Sequence, residues 1–426
     1  MQTAVREKLM RTIQSFFVFT IFCTLAAAQD IAIRAGNLID PATGNVSKNQ
    51  VIVVRDGKIG SVGGAVPPGA KIIDLSNEWV MPGLMDAHTH ITMNLPVNPS
   101  GGSLWESYYV KESTGFRTLR GIHTGEVLLN AGFTTVRDVG NNGNYADVAV
   151  RKGIEQGWFH GPTVIASGKI IGPFGGQFHD IAPEQGRFWQ FEYIDADTPD
   201  EIRKAIHQNI YYGAQVIKLV ADNSSFHYSV NDIKTAVTEA HDAGEKVAVH
   251  VYGGQAATNV IEGGADSIEH GWDLTDEQLK MMKEHGTYLV GTDFPYEHLV
   301  ALGQMVPMDA KPRSVSIIDR LRRAYRMGVK MAFGADVVVD LPGKSRSDMA
   351  FDYLKVFREA GVSNADVLKL MTTNGADLLG IAKERGAIAP GLAADIIAMP
   401  ADPLQDTENL RKVNFVIKDG EVIRRP

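Results

Sequence analysis

QVIKLVA (Gln215–Ala221), VNDIKTAVTEAHDAG (Val230–Gly244) and KVAVHVYG (Lys246–Gly253) follow one another along the chain, and their reading decides the fold. The outer two are short apolar runs rich in Val, of strand length. The middle one reads as a helix that stops at a glycine, as helix C-termini often do. This strand–helix–strand unit repeats outward in both directions. Towards the N-terminus lie WVMPGLMDAHTH (79–90), FTTVRDVG (133–140) and PTVIASG (162–168). Towards the C-terminus lie DSIEHG (266–271), TYLVGTD (287–293) and KMAFGAD (330–336). Helical stretches such as DEIRKAIHQNIYYG (200–213) and DEQLKMMKEHG (276–286) separate most of them. Eight such units predict an α/β fold, a TIM-like (β/α)8 barrel. A doubly wound sheet is the alternative.

Both ends depart from this alternation. IAIRAGNLID and VIVVRDGKIGSVGG near the start, and ADIIAMP and FVIKDGEVIRRP near the end, read as strands and turns. VRDGKI and IKDGEVI share a strand–Asp-Gly–strand hairpin pattern. The expected organisation is one small β-sandwich domain built from both termini, residues 29–82 and 386–426, around a barrel over 83–385.

Residues 1–28 read as a signal peptide. Arg6, Lys8 and Arg11 precede an apolar run ending in Ala26-Ala27-Ala28, with cleavage expected before Gln29. An uncleaved anchor is the alternative. Cleavage would make the protein exported, periplasmic or secreted, with no stable membrane association. The one cysteine, Cys23, lies inside this leader. The mature chain therefore has no disulfide or thiolate metal site, and any metal falls to His, Asp, Glu or a modified Lys. The 426 residues are 44% hydrophobic and 22% charged, with a net charge of −8. That is ordinary globular composition, and without a basic stripe nucleic acid is not an expected partner.

In a (β/α)8 barrel, chemistry gathers at the C-terminal ends of the strands. Within MDAHTHI, His88 and His90 are spaced i, i+2 and face the same side of a strand, about 6–7 Å apart at Cα. Other strands end in His250, His270 and Asp336, and QVIKLVA carries Lys218. Four histidines, a lysine and an aspartate make a candidate site for two divalent metals. Lys218 in an apolar run is costly to bury charged. Burial lowers its pKa, and the neutral amine is nucleophilic enough to add carbon dioxide. The resulting carbamate is an anionic ligand with two oxygens. A lysine snorkelling to the barrel mouth is the plainer alternative.

HTH, IKLVA, VAVHVYG, DSIEHG and GAD, in that order, resemble the amidohydrolase superfamily. FTTVRD, LKLMTTNGADLLG (368–380) and GAIAPGLAADIIAMPADPL (386–404) extend the resemblance over almost all of the mature chain. It is most like the branch of metal-dependent dipeptidases, with Xaa-Pro dipeptidase-like (prolidase-like) and ochratoxin-hydrolysing enzymes. Imidazolonepropionase-like enzymes lie nearby. The resemblance implies that His88, His90 and Asp336 hold one metal and His250 and His270 another, both zinc, bridged by carboxylated Lys218. Asp336 would move the proton, and Tyr252 would bond the substrate carbonyl or its oxyanion. His179 in GGQFHD would contact substrate, although this loop differs from the GGHGD-like form of the branch. Closed homo-oligomers, up to octamers, are also implied.

His227, in the loop after Lys218, is a further candidate substrate contact. Arg137 and Asp138 are expected to make rim hydrogen bonds. Asp86 is expected either to orient the first histidines or to shape a turn. Surface positions are expected for His207, His241, His285 and His298, and helix packing for His123. Trp105, Tyr108, Tyr109, Phe174, Phe178 and Trp189 are candidates to line an apolar pocket. The expected function is carboxypeptidase-like hydrolysis of a small dipeptide or N-acyl amino acid. A cyclic amide or lactone hydrolase is the rival enzyme, and an exported binding or scaffold barrel the non-enzyme rival.

Overall fold

The computed structural model describes residues 29–95, 111–140, 143–178, 181–222, 226–303 and 309–425. The leader, Trp105, Tyr108, Tyr109 and His179 lie outside the described residues.

The chain begins with β1 (Ile31–Asp40), β2 (Asn45–Arg55), β3 (Lys58–Val62) and β4 (Lys71–Pro82). The barrel region contributes β5 (Leu84–Thr89), β6 (Phe133–Asp138), β7 (Thr163–Ala166), β8 (Ile170–Gly172), β9 (Tyr193–Asp195), β10 (Val216–Val220), β11 (Lys246–Gly253), β12 (Ser267–Asp273) and β13 (Tyr288–Val290). The chain closes with β14 (Ile396–Met399), β15 (Phe415–Lys418) and β16 (Glu421–Arg424).

Eight parallel staves make the barrel: β5, β6, β7, β10, β11, β12, β13 and the extended segment 330–335. Parallel pairing joins β5–β6–β7 and β10–β11–β12–β13. Backbone bonds close the remaining seams. Gln215 N donates to Ala166 O, Leu289 N to Lys330 O, and Ala87 N to Phe333 O. The third stave breaks at Gly168, where φ is +66°, and resumes as β8 beside β10. Helices cover the outside. Several open on capping boxes, Thr198 with Glu201, Ser229 with Asp232 and Thr275 with Gln278; the first and third of these helices close at Gly213 and Gly286, and another at Gly328, all in left-handed geometry.

WVMPGLMDAHTH, expected as one barrel strand, divides at Gly83. Trp79–Pro82 belong to β4, which pairs with β1 and β14, and only Leu84–Thr89 join the barrel. A Cβ at Gly83 would lie 2.2 Å from the Thr134 hydroxyl, so the backbone passes where no side chain fits.

The sandwich from both termini is one continuous sheet in the order β16-β15-β14-β4-β1-β2-β3. It folds over a core that includes Ile33, Ile52, Val80, Ile396 and Phe415, and a bridge from Lys58 to Ala393 ties the edge strand β3 to the segment leading into β14. Both Asp-Gly hairpins form. Asp56-Gly57 and Asp419-Gly420 all have positive φ, as a type I′ turn requires. The two tips touch: a Cβ on Gly420 would lie 2.7 Å from Gly57 Cα. Among the described residues no helix is long and apolar enough to cross a membrane.

Candidate metal centre

The strand ends bring the six expected ligands into one buried cluster. His88, His90 and Asp336 offer donor atoms within 4.8 Å of one another. Asp336 Oδ1 lies 3.1 Å from His90 Nε2 and 3.6 Å from His88 Nε2. The His88 and His270 rings are 5.1 Å apart between centroids, and those of His250 and His270 4.3 Å. Asp336 Oδ2 faces His270 Nδ1 at 3.7 Å. Lys218, inside β10, is 3% exposed, and its Nζ has no hydrogen-bond partner among the described residues.

Each imidazole is held from behind. His88 Nδ1 lies 2.6 Å from Glu269 Oε2, and Glu269 Oε1 accepts from Arg137 Nη2 at 2.7 Å and from the Ser267 hydroxyl. His90 Nδ1 donates to Gly140 O at 3.0 Å, and His270 Nδ1 meets Thr292 Oγ1 at 2.8 Å. His250 Nε2 faces Asp222 Oδ1 at 3.6 Å, while Asp222 Oδ2 accepts from the Tyr252 amide. Such partners fix ring orientation and tautomer. Asp86 Oδ1 accepts from the amides of His88 and Ala335, clamping the first stave to the eighth.

Three consecutive staves carry a left-handed residue within them or just beyond: His270 (φ 71°) inside β12, Thr292 (φ 41°) after β13 and Asp336 (φ 49°) after the segment 330–335. Non-glycine residues adopt this geometry at a cost, and such strain gathers at functional sites. At His270 it lets neighbours 269 and 270 both serve the cluster, which a regular strand forbids.

Residues 79–423 match the Amidohydrolase family. The chain belongs to that family. This amidohydrolase is 27% identical to ochratoxinase of Aspergillus niger, the match covering 92% of this chain and 86% of that protein. It superimposes with a TM-score of 0.80 on a crystal structure of a Xaa-Pro dipeptidase with bound methionine in the active site, at 28% identity over 93% of this chain and 100% of that one. Imidazolonepropionase of Thermoplasma acidophilum is 22% identical, covering 89% of this chain and 90% of that protein. The amidohydrolase is thus a hydrolase of the ochratoxinase and prolidase type.

The electrostatics of the amidohydrolase cluster suit metal ligation. Burial, reinforced by neighbouring cationic groups, pushes His88, His250 and His270 well below the ordinary imidazole range, so they present neutral nitrogens. Burial acts the same way on His90, but Asp336 and Asp138 outweigh it and raise the ring. Burial brings Lys218 down to about 8, against the pull of Glu269 and Asp336 and with the help of Arg137. Neutral imidazoles, a carboxylate and a buried amine without a partner fit divalent metal ions. Tyr252 packs on His250 at 4.8 Å and on Trp272 at 5.0 Å, and burial, then Asp222, raises its hydroxyl pKa.

Several expectations need correction in this amidohydrolase. Arg137 and Asp138 are not at the rim. Both are fully buried, Arg137 behind His88 through Glu269, Asp138 accepting from the Ile91 amide at 2.6 Å. His298 is not a surface residue: it is 1% exposed and meets Asp352 at 3.0 Å. His123, expected to pack, is exposed on its helix. His227 is exposed outside the cluster, but its charge bears on Asp222. Phe178 and Trp189 are buried together with Tyr193 and Val220, while Phe174 stands exposed.

Proposed function

We propose that the protein is a binuclear metal-dependent amidase that cleaves dipeptides or N-acyl amino acids and releases the C-terminal amino acid. Xaa-Pro-like and ochratoxin A-like substrates are the first class to consider. The observation that carries this reading is the His88–His90–Asp336 cluster with His250, His270 and the unpartnered Lys218 beside it. His88, His90 and Asp336 would hold one ion, His250 and His270 a second, and carboxylated Lys218 would link them. Zinc suits this nitrogen and oxygen donor set. When bound, two such cations lower the pKa of water towards neutrality and polarise a carbonyl.

The chain's own groups supply the proton transfers. Asp336, facing three imidazoles, would accept the proton of the attacking water and return it to the leaving amine. The Tyr252 hydroxyl, kept protonated by burial, would donate to the carbonyl oxygen as negative charge develops there. His227 and His179 are the proposed loop contacts to substrate. Cleavage of the 1–28 leader and export complete the proposal, and the family resemblance supports a homo-oligomer.

The test is amino-acid release from Xaa-Pro and Xaa-Phe dipeptides and ochratoxin A by zinc-loaded protein, with and without chelator. Chelator-sensitive release is expected. Silence across the panel, with hydrolysis of a lactone or cyclic amide instead, would move the assignment. The likeness to an imidazolonepropionase keeps that second reading in view.

A further inference from the structure

Resting on the binuclear reading above, we propose that Arg320 is a positioning residue: from a helix outside the barrel it holds Thr292 in its left-handed conformation, and Thr292 in turn aims the His270 imidazole into the cluster. Arg320 lies on the helix Ala310–Met327, on the buried face it shares with Ile317, Leu321 and Ala324. Its Nε and Nη1 have no hydrogen-bond partner among the described residues. A guanidinium buried with donors unmet costs stability, and an apolar side chain would fill the same place at less cost.

What the guanidinium does hold is the turn after β13. Nη2 donates to Gly291 O at 3.1 Å and lies 2.9 Å from Asp293 Oδ1. These two residues flank Thr292. Gly291 O also accepts from Trp272 Nε1 at 3.1 Å. A peptide unit is planar, so a carbonyl gripped from two sides fixes the plane that ends at the Thr292 nitrogen. Thr292 has a φ of 41°, an outlier for a β-branched residue. Such a conformation persists only where its surroundings over-determine it. Phe294 N donates back to Thr292 O at 2.8 Å and closes the turn.

The line of contact runs from the helix through one carbonyl and one hydroxyl to one imidazole, since Thr292 Oγ1 meets His270 Nδ1 at 2.8 Å. His88, His90 and His250 rest instead on Glu269, Gly140 and Asp222. A disturbance at Arg320 therefore falls on His270 alone among the four. Space in the turn is tight. A Cβ on Gly291 would lie 2.5 Å from both Arg320 Nη1 and Asp293 Oδ2.

The test is stepwise zinc binding in a chelator competition. Arg320→Met alone would leave Asp293 buried and unpaired, so Arg320→Met with Asp293→Asn removes both charges together. Affinity for the ion at His250 and His270 should fall about 10–100-fold, with the ion at His88, His90 and Asp336 held as before. Gly291→Ala keeps both charges but displaces the guanidinium, and should give the same selective loss. Thr292→Ala should reproduce it. Adding Thr292→Ala to the charge-free pair should cost little more, because Arg320 acts through Thr292. A purely structural role would lower urea stability and weaken both ions together. That outcome, unchanged binding, or losses that add in full would overturn the inference. If wild type binds fewer than two ions, the binuclear reading fails separately. Crystal structures of the metal-free proteins then decide: a turned His270 ring in the charge-free pair supports the assignment, and an unmoved one overturns it.

Discussion

Lys218 is the residue whose removal should tell most. An unpartnered amine in the barrel core has no structural bond to lose, so Lys218→Ala should fold. It should lose bound metal and about three orders of magnitude in turnover, read by metal analysis and single-substrate kinetics. Normal turnover would remove Lys218 from the centre. Glu269 should act through His88. Glu269→Gln keeps the shape but weakens the hold on Nδ1, and metal affinity should fall about 10–100-fold in a chelator competition. An unchanged affinity would leave the Glu269–Arg137 pair as core structure only. The six-residue cluster was legible because strand periodicity and barrel topology together aim strand ends at one point. Glu269 was not. Alternation puts residues 269 and 270 on opposite faces, and nothing in DSIEHG announces the positive φ at His270 that brings both to the site.

Among elements, the helices around Asp352 show what periodicity leaves out. Asp352, at the end of the helix Arg346–Asp352, gathers His298, Lys344 and Arg411 from three other segments. Burial alone would raise its carboxyl, but these three partners outweigh burial and hold it well below the ordinary aspartate value of 3.8. Its stabilisation is therefore present above that value and lost as pH falls through the depressed one. Asp352→Asn should cost on the order of 2 kcal/mol near neutrality, between an exposed and a fully buried pair. The gap between the two proteins in chemical denaturation should begin to narrow as pH falls below 3.8 and close only as it falls through the depressed value. A gap that persists in acid would assign the effect to packing. His298 was misread as a surface residue because its partner lies 54 positions away and no local pattern names it. The barrel staves, by contrast, are local patterns, and only the seams at Gly83 and Gly168 escaped, where single glycines redirect the backbone.

At the scale of the molecule, the two ends of the chain share one sheet, and its two hairpin tips meet where Gly57 touches Gly420. Gly420→Ala meets both a left-handed backbone and a backbone neighbour at 2.7 Å. It should lower stability by at least about 1 kcal/mol in urea titration while leaving KM untouched. Equal stability would mean the tips separate freely. The paired Asp-Gly motifs made this sheet legible from the two ends of the sequence. That it is one continuous surface folded over was not legible, because β4 to β14 pairing joins segments with no shared pattern.

That same pairing sets an order of events during synthesis. β4 ends at Pro82 and β14 begins at Ile396. At ordinary elongation rates about 15–60 s separate the two. Throughout that interval the nascent chain carries a finished strand edge whose partner has not yet been made, open to any other extended chain nearby. The later segment therefore serves as the seal on the earlier one, and a stop before Ile396 would release a barrel with that edge still exposed.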